Sequence, residues 1–287
     1  MHTGKIGVIG GSGLYAMAGL EQIQEVTVDT PFGAPSDTFI CGTFHGREMV
    51  FLPRHGRGHR VPPSALNFRA NIYGLKSLGV EWVISVSAVG SMREDIHPGD
   101  LVLPLQFFDR TRTRVSTFFD QDVVAHVTFA DPVCQLLAQT IYQAAIQTDA
   151  TVHFGGTYLC IEGPQFSTRA ESRIYRQWGV DVIGMTNLPE ARLAREAELC
   201  YATLALATDY DCWHESAGDV DIASVLAILQ RNVQRAQEII AHAVPNVPTT
   251  RNCACSTALR SALITDPALI PTAARERLGL LINRYLP

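Results

Sequence analysis

Asp209 and Asp211 stand one residue apart at the end of an apolar run, Tyr201-Ala-Thr-Leu-Ala-Leu-Ala207. Side chains of an extended chain alternate, so residues two apart share a side, and this spacing lets both carboxylates converge on one ligand. Paired acids of this kind suit proton transfer, because burial and a like-charged neighbour both raise a carboxyl pKa toward the range where it donates near neutral pH. A solvated Asp-rich turn accounts for the same residues without any ligand.

Other strand ends offer groups for an anion. Gly10-Gly11-Ser12-Gly13 follows the short strand Lys5 to Ile9 and presents backbone amides and a hydroxyl. The same turn, read as Gly11-x-Gly13-x-x-Ala16 with Asp29 as a ribose ligand, fits a dinucleotide fingerprint. Only about ten residues then precede the next strand, too few for the usual crossover helix. Arg54-His55-Gly56-Arg57-Gly58-His59 displays a guanidinium fork and an imidazole, the donors an oxyanion needs. His55 and His59 imitate a helical metal pair, but Gly56 and Gly58 argue against a helix there. Ser87-Ala88-Val89-Gly90-Ser91 closes a further strand with hydroxyls and amides, and Glu162-Gly163-Pro164-Gln165-Phe166-Ser167 sets an aromatic plane beside a hydroxyl, a neighbour suited to a purine. Each fragment alone is equally well a solvated loop, a structural turn or, for Phe166, a core residue.

The elements that must hold these groups read as alternating strands and helices. Strands are expected at Lys5 to Ile9, Glu25 to Asp29, Thr38 to Gly42, Glu48 to Pro53, Trp82 to Ser87 and Tyr201 to Ala207. Helices are expected from Pro62 to Gly79 and at Pro132 to Gln147, Thr168 to Trp178, Pro189 to Leu199 and Asp221 to Ala243, the second of these four opened by the capping-box spacing Thr168 to Glu171. Ile222, Val225, Leu226 and Leu229 repeat at helical spacing and by default pack on the sheet. The pattern predicts a three-layer α/β/α fold around a central mixed, largely parallel sheet, in which ligands sit outside the carboxyl ends of the strands. Residues 1–287 are expected to form a single domain, with a C-terminal helical arm from about residue 245 after the patch Val244 to Thr250.

A net charge of −5 over 287 residues, with no long Lys/Arg run, argues against a sequence-independent hold on nucleic acid and favours a small-molecule ligand. The apolar runs are strand-length, shorter than the ~20 residues that cross a bilayer, so no membrane partner is expected. Seven scattered cysteines, an odd number, suit a reduced cytoplasmic protein. Cys253-Ala-Cys255 lacks a matching second pair, so thiols or a disulfide are expected there and no metal.

Taken in order, these motifs resemble those of the trimeric purine nucleoside phosphorylases, and among them the branch that acts on 5′-methylthioadenosine. The likeness runs from Ile6 to Ala243 and includes the glycine turn, Asp29 to Asp37, Arg54-His55-Gly56, Asn67 to Asn71, Val89-Gly90-Ser91, Pro98-Gly99-Asp100, Glu162-Gly163-Pro164, Gly184-Met185-Thr186 and Ala207 to Trp213. It implies a nucleoside phosphorylase-like fold and phosphorolysis to adenine and 5-methylthioribose 1-phosphate, with inorganic phosphate as co-substrate and no cofactor. It places phosphate on Ser12, Arg54, His55, Ser87, Ala88 and Thr186, with Ser12 and Ser87 standing where many relatives have threonine. The substrate falls to Phe166, Ser167, Met185, Asp209, Tyr210 and Asp211, and the methylthio pocket to Ser167, Ile222, Val225 and Leu226. His126 matches a histidine lent to a neighbouring subunit's site, so a homotrimer is implied. The arm departs from animal members, and its Cys-x-Cys is similar to that of heat-stable archaeal ones.

Cleaving a C–N glycosidic bond leaves an oxocarbenium-like sugar and an anionic purine, which phosphate and a protonated Asp209 would respectively stabilise. Asp211 would accept from the exocyclic amine, whereas a 6-oxopurine would leave polar groups unpaired. The alternatives are a phosphorylase for methylthioinosine or other purine nucleosides, a dinucleotide-binding reductase, and a non-catalytic nucleoside-binding protein.

Overall fold

A computed structural model describes residues 4–11, 13–14, 17–214 and 222–287, the side chains at 222–225 and 227 excepted. Ser12 and the side chains of Ile222 and Val225 therefore lie outside the described residues, as does Asp221. In chain order the elements are β1 (Lys5–Gly10), β2 (Glu21–Val26), β3 (Phe39–Phe44), β4 (Arg47–Pro53), α1 (Phe68–Ser77), β5 (Val80–Ser91), β6 (Leu101–Leu103), β7 (Gln106–Arg110), α2 (Gln135–Ala145), β8 (Val152–Phe154), β9 (Thr157–Ile161), α3 (Arg169–Gln177), β10 (Val182–Gly184), α4 (Asn187–Glu196), β11 (Cys200–Asp209), α5 (Ile222–Ala243) and α6 (Thr272–Ile282).

The strands form one mixed sheet whose trunk is β5. One edge of β5 pairs in parallel with β11 along most of its length. Its other edge pairs first with β1, through Val80 to Ser85, and then with β10 at Gly90 and Ser91. Between those two partners Val86 to Val89 face no strand on that side among the described residues, which opens a crevice at the point where β5 exchanges neighbours, the place where open α/β sheets take ligands. Parallel pairings (β1 with β4 and β5, β5 with β11, β9 with β10 and β7, β6 with β8) outnumber the antiparallel ones.

Two cores flank the sheet, and β11 divides its side chains between them with a period of two. Tyr201, Ala205 and Ala207 join the first core with Ile72, Leu75, Ala191 and Leu193, while Cys200, Ala202, Leu204 and Leu206 join the second with Leu137, Ile141, Ile239 and Ile240. The layers are therefore helix, sheet, helix, as the alternation predicts. The arm belongs to the first core through Leu259, Leu278, Leu281 and Ile282.

Several expected boundaries move. The helix placed from Pro62 begins at Phe68: Pro63–Ala65 makes a separate 3-10 turn, Leu66 is extended, and the Asn67 side chain caps the helix by accepting the Ala70 N–H. Proline fixes its own φ but cannot supply that cap acceptor. The second strand lies at Glu21–Val26 rather than Glu25 to Asp29, on an exposed edge where no buried face fixes the pattern. Three-residue strands β6, β8 and β10 are too short to carry a periodicity. The capping box at Thr168 and Glu171 forms as its spacing predicts.

Candidate functional site

Ser87 and Ala88 line the gap in β5. Ala88 is the one exposed position in a strand otherwise buried or half-buried. The Ser87 hydroxyl meets Thr186 Oγ1 at 2.9 Å and the Tyr158 hydroxyl at 3.2 Å. Thr186 stands at the N-cap of α4 but makes no capping hydrogen bond, so its hydroxyl is engaged with Ser87 across the gap. The crevice thus brings together hydroxyls from two strand ends that are 99 residues apart in sequence.

Arg54 approaches from beneath. Its backbone N–H donates to Gly10 O at 2.9 Å, tying the end of β4 to the glycine turn. Its guanidinium is 2% exposed and donates to both Glu190 oxygens (2.8 and 3.0 Å), to Val86 O (2.8 Å) and to Ser85 Oγ (2.6 Å). These bonds occupy four of its five N–H groups and leave one on Nη1 without a partner among the described residues. Tyr201 also donates to Glu190, at 2.9 Å, and the Asn187 amide donates to Tyr201 and Thr203, so a polar network runs under the crevice. Glu190 was invisible as a site residue in the sequence, where it reads as a surface carboxylate on a helix.

His55 is half-buried, and burial together with the Arg54 charge pushes its pKa down to about 4. Nδ1 lies 2.8 Å from Val61 O, which can only accept, so Nδ1 carries the hydrogen and Nε2 presents a lone pair. The donor role read from sequence therefore needs revision: a neutral His55 can accept from a hydroxyl of monohydrogen phosphate. Its ring stacks on His59 at 4.4 Å between centroids.

The acid pair forms, but not by strand alternation. β11 ends at Asp209, and Asp211 takes a left-handed φ of +53°, so the chain has already turned. The Asp211 N–H donates to Asp209 Oδ1 at 2.8 Å, a local turn that aspartate favours. The Thr208 hydroxyl lies 2.7 Å from Asp209 Oδ2 and 3.2 Å from Val89 O, so it has two acceptors for one proton. Burial raises the pKa of both acids, and the Asp209 charge adds to the shift at Asp211 against the neighbouring Ser172 and Ser167 hydroxyls. Gly90 makes room for this turn: a Cβ there would lie 2.8 Å from Asp209 Oδ1 and 3.3 Å from Asp211 N.

The remaining residues are less concentrated. Met185 follows β10 and is half-buried, and its carbonyl accepts from Arg114 Nη1 at 2.6 Å. Arg114 also donates to Leu188 O, Ile161 O, Glu162 O and the Glu162 carboxylate, clamping the Glu162 loop against the end of β10. Nothing in the sequence Thr111-Arg-Thr-Arg114 distinguishes this buried clamp from a solvated loop. Gly163, at φ +64°, leaves space for Met185 Sδ, 2.4 Å from where a Cβ would stand. Ser167 Oγ is buried beside Asp211, while Phe166 is 48% exposed. Tyr210 turns from the acids into a ring cluster with Trp213, His214 and His97. Leu226 is 57% exposed at the start of α5. His126 is exposed on the segment leading to α2, its backbone N–H held by Ala262 O of the arm at 2.9 Å.

The dinucleotide alternative loses its structural basis, since β1 leads to the edge strand β2 without a helix among the described residues. No helix among the described residues is long and apolar enough to cross a membrane.

The chain is similar to known proteins over nearly its whole length. The phosphorylase superfamily profile matches residues 5–245. The S-methyl-5′-thioadenosine phosphorylase of Geobacter sulfurreducens is 61% identical over 282 residues, covering 98% of this chain and 99% of its own. The protein of the same name from Koribacter versatilis is 54% identical over 281 residues, covering 98% and 96%. Among solved structures, a methylthioadenosine phosphorylase from an antarctic soil metagenomic library superposes with a TM-score of 0.93 at 46% identity, over 98% of this chain and all of that one. The Schistosoma mansoni methylthioadenosine phosphorylase in complex with adenine gives 0.83 at 37% identity, over 90% and 98%.

Proposed function

The chain belongs to the phosphorylase superfamily, and we propose on that premise that it cleaves 5′-methylthioadenosine by phosphorolysis to adenine and 5-methylthioribose 1-phosphate. The observation that carries the mechanism is the juxtaposition at one sheet edge of an open gap in β5, lined by hydroxyls, with a buried acid pair at the end of the adjoining β11. Phosphate belongs in the gap, on Ser12, Ser87, the Ala88 backbone and Thr186, with the free Nη1 hydrogen of Arg54 and the Nε2 lone pair of His55 completing its shell. A phosphate oxygen attacks C1′ as the C1′–N9 bond breaks, and the bond's electron pair passes to the purine. Protonated Asp209 delivers its proton to N7, and Asp211 accepts from the exocyclic amine. When Asp209 holds the proton on Oδ2, Thr208 can turn its own to Val89 O, so the acid is free to face the base. Solvent reprotonates Asp209 after adenine leaves.

Met185 meets the ribose through its backbone, held by Arg114, while Phe166 and Ser167 border the base. Ile222, Val225 and Leu226 supply an apolar wall for the methylthio group, and rejection of a 5′-hydroxyl there is limited to about 100-fold. Residues 1–287 act as one domain, and the unit in the cytoplasm is a homotrimer in which His126 reaches a neighbour's pocket. Its exposure on its own chain supports that reading.

The test is phosphate-dependent release of adenine from methylthioadenosine, run beside inosine, methylthioinosine and adenosine with sedimentation of the same preparation. Base release only with phosphate, far faster as adenine from methylthioadenosine than as hypoxanthine from inosine, is expected of a species three times the protomer mass. Comparable turnover of 6-oxopurine nucleosides, or release without phosphate, rejects the assignment.

A further inference from the structure

Away from the crevice, at the opposite end of β11, four cysteines from three parts of the chain meet. The Sγ atoms of Cys134, Cys200, Cys253 and Cys255 all lie within 4.8 Å of one another. Cys253 Sγ is 3.3 Å from that of Cys200 and 3.9 Å from that of Cys134. Cys134, Cys200 and Cys255 are buried and Cys253 is half-buried. We propose that these four sulfurs hold a structural zinc ion that fastens the C-terminal arm to the sheet.

Tetrahedral thiolate coordination at about 2.3 Å from zinc places neighbouring sulfurs about 3.8 Å apart, the spacing toward which this cluster converges. A disulfide needs two sulfurs, and buried thiols acting as small hydrophobes need not converge at all. Four on one point is what a closed metal site requires. Soft thiolates select zinc over hard cations, and a complete set of protein ligands leaves no position open for catalysis. Binding replaces the thiol protons, which leave to solvent.

Each ligand is placed by a defined element of the backbone. Cys134 is the N-cap residue of α2, where its side chain makes no capping bond, and its N–H donates to Tyr201 O at 2.8 Å, beside Cys200. Cys200 opens β11. Cys253 and Cys255 flank the start of a 3-10 turn, in which Ser256 Oγ donates to Cys253 O at 3.1 Å. Just before them Arg251 anchors the chain to Glu198 O and pairs with Glu81 at 3.1 Å. The staple has a consequence beyond the arm, because arm residues Ala262 and Ile264 exchange backbone hydrogen bonds with Val124 and His126 at 3.0 and 2.9 Å. The ion therefore steadies the segment that carries His126 without touching substrate. The other two sulfurs come singly from Cys134 and Cys200, a convergence that no second Cys-x-Cys pair in the sequence announces.

Metal analysis of the full-length protein, purified under reducing conditions and desalted, tests this. One zinc per protomer is expected, lost in Cys253→Ser/Cys255→Ser and retained in Cys41→Ser, which lies outside the cluster. Growth on cobalt should give the intense visible absorption of tetrahedral cobalt thiolate, a readout on the unaltered chain if the double variant fails to fold. Zinc-depleted protein should unfold at lower temperature and be cut first within the arm by a protease. Zinc at background in the wild-type protein, zinc unchanged in a folded double variant, or recovery of the four cysteines as disulfides by alkylation and mass spectrometry would overturn the site.

Discussion

Asp209 can serve as an acid only if it holds a proton near neutral pH, and three features of its setting bear on that. Burial raises its pKa, while the hydrogen bonds from Thr208 and from the Asp211 N–H work the other way. An asparagine keeps an acceptor for the Asp211 N–H and the shape of the turn but has no proton to give. Asp209→Asn is therefore expected to lower kcat/KM for methylthioadenosine by about 100-fold or more, the usual loss of a general acid. An amide can donate to a 6-oxo group, so inosine should lose much less. The comparison is a pair of kcat/KM measurements on the two substrates. Equal losses on both would mean that Asp209 acts on the fold, and no loss would remove it from the chemistry. The acid pair was legible from an apolar run ending in Asp-x-Asp, although the physical route differs: a left-handed Asp211 and a side-chain-to-backbone bond bring the acids together, which alternation alone would not describe.

At the level of elements, the strand ends are fixed by what lies under them. Arg54 was legible as a charged residue at a strand end, a position that usually signals an anion. Its buried position was not, because Glu190 is 136 residues away and nothing local announces the pair. Glu190 is fully buried and receives Arg54, Ser85 and Tyr201, so the network couples β4, β5, α4 and β11 beside the gap in β5. Removing the guanidinium strands a buried carboxylate. Arg54→Ala is expected to cost about 3–5 kcal/mol of unfolding free energy in urea titrations, the range for breaking a buried pair. Arg54→Met combined with Glu190→Leu should recover much of that, since apolar side chains of similar volume often replace such pairs at little cost. A single variant with wild-type stability would return Arg54 to a purely ligand-binding role. The long β5 and β11 were readable because continuous apolar runs, Trp82 to Ser87 and Tyr201 to Ala207, mark strands buried on both faces, whereas β10, with three residues, gains its identity only from its neighbours β5 and β9.

Over the whole molecule, titrating groups set how stability follows pH, and two of them pull in opposite directions. His55 takes a proton at about 4 in the folded protein against an ordinary 6.5, so between these values the unfolded chain binds more protons. Its contribution is fully present above about pH 6.5 and is lost as pH falls toward 4. Burial raises Glu196 from 4.5 to about 7, although it accepts from the Phe118 N–H and the Thr117 hydroxyl at 2.7 and 2.8 Å. The folded protein therefore keeps that proton after the unfolded chain has released it, and stability falls as pH rises from 4.5 to 7. The windows overlap and the signs oppose, so these two groups largely offset one another in the wild-type protein. Single variants separate them while every other titration stays common to both. In phosphate-free buffer, His55→Gln should become less stable relative to Glu196→Gln as pH rises from about 5 to about 7, because the first retains only the Glu196 slope and the second only that of His55. Denaturation midpoints at the two pH values decide it: parallel behaviour of the variants would show that neither group is held away from its ordinary titration, and with His55 released the neutral acceptor assigned to the phosphate shell would go too.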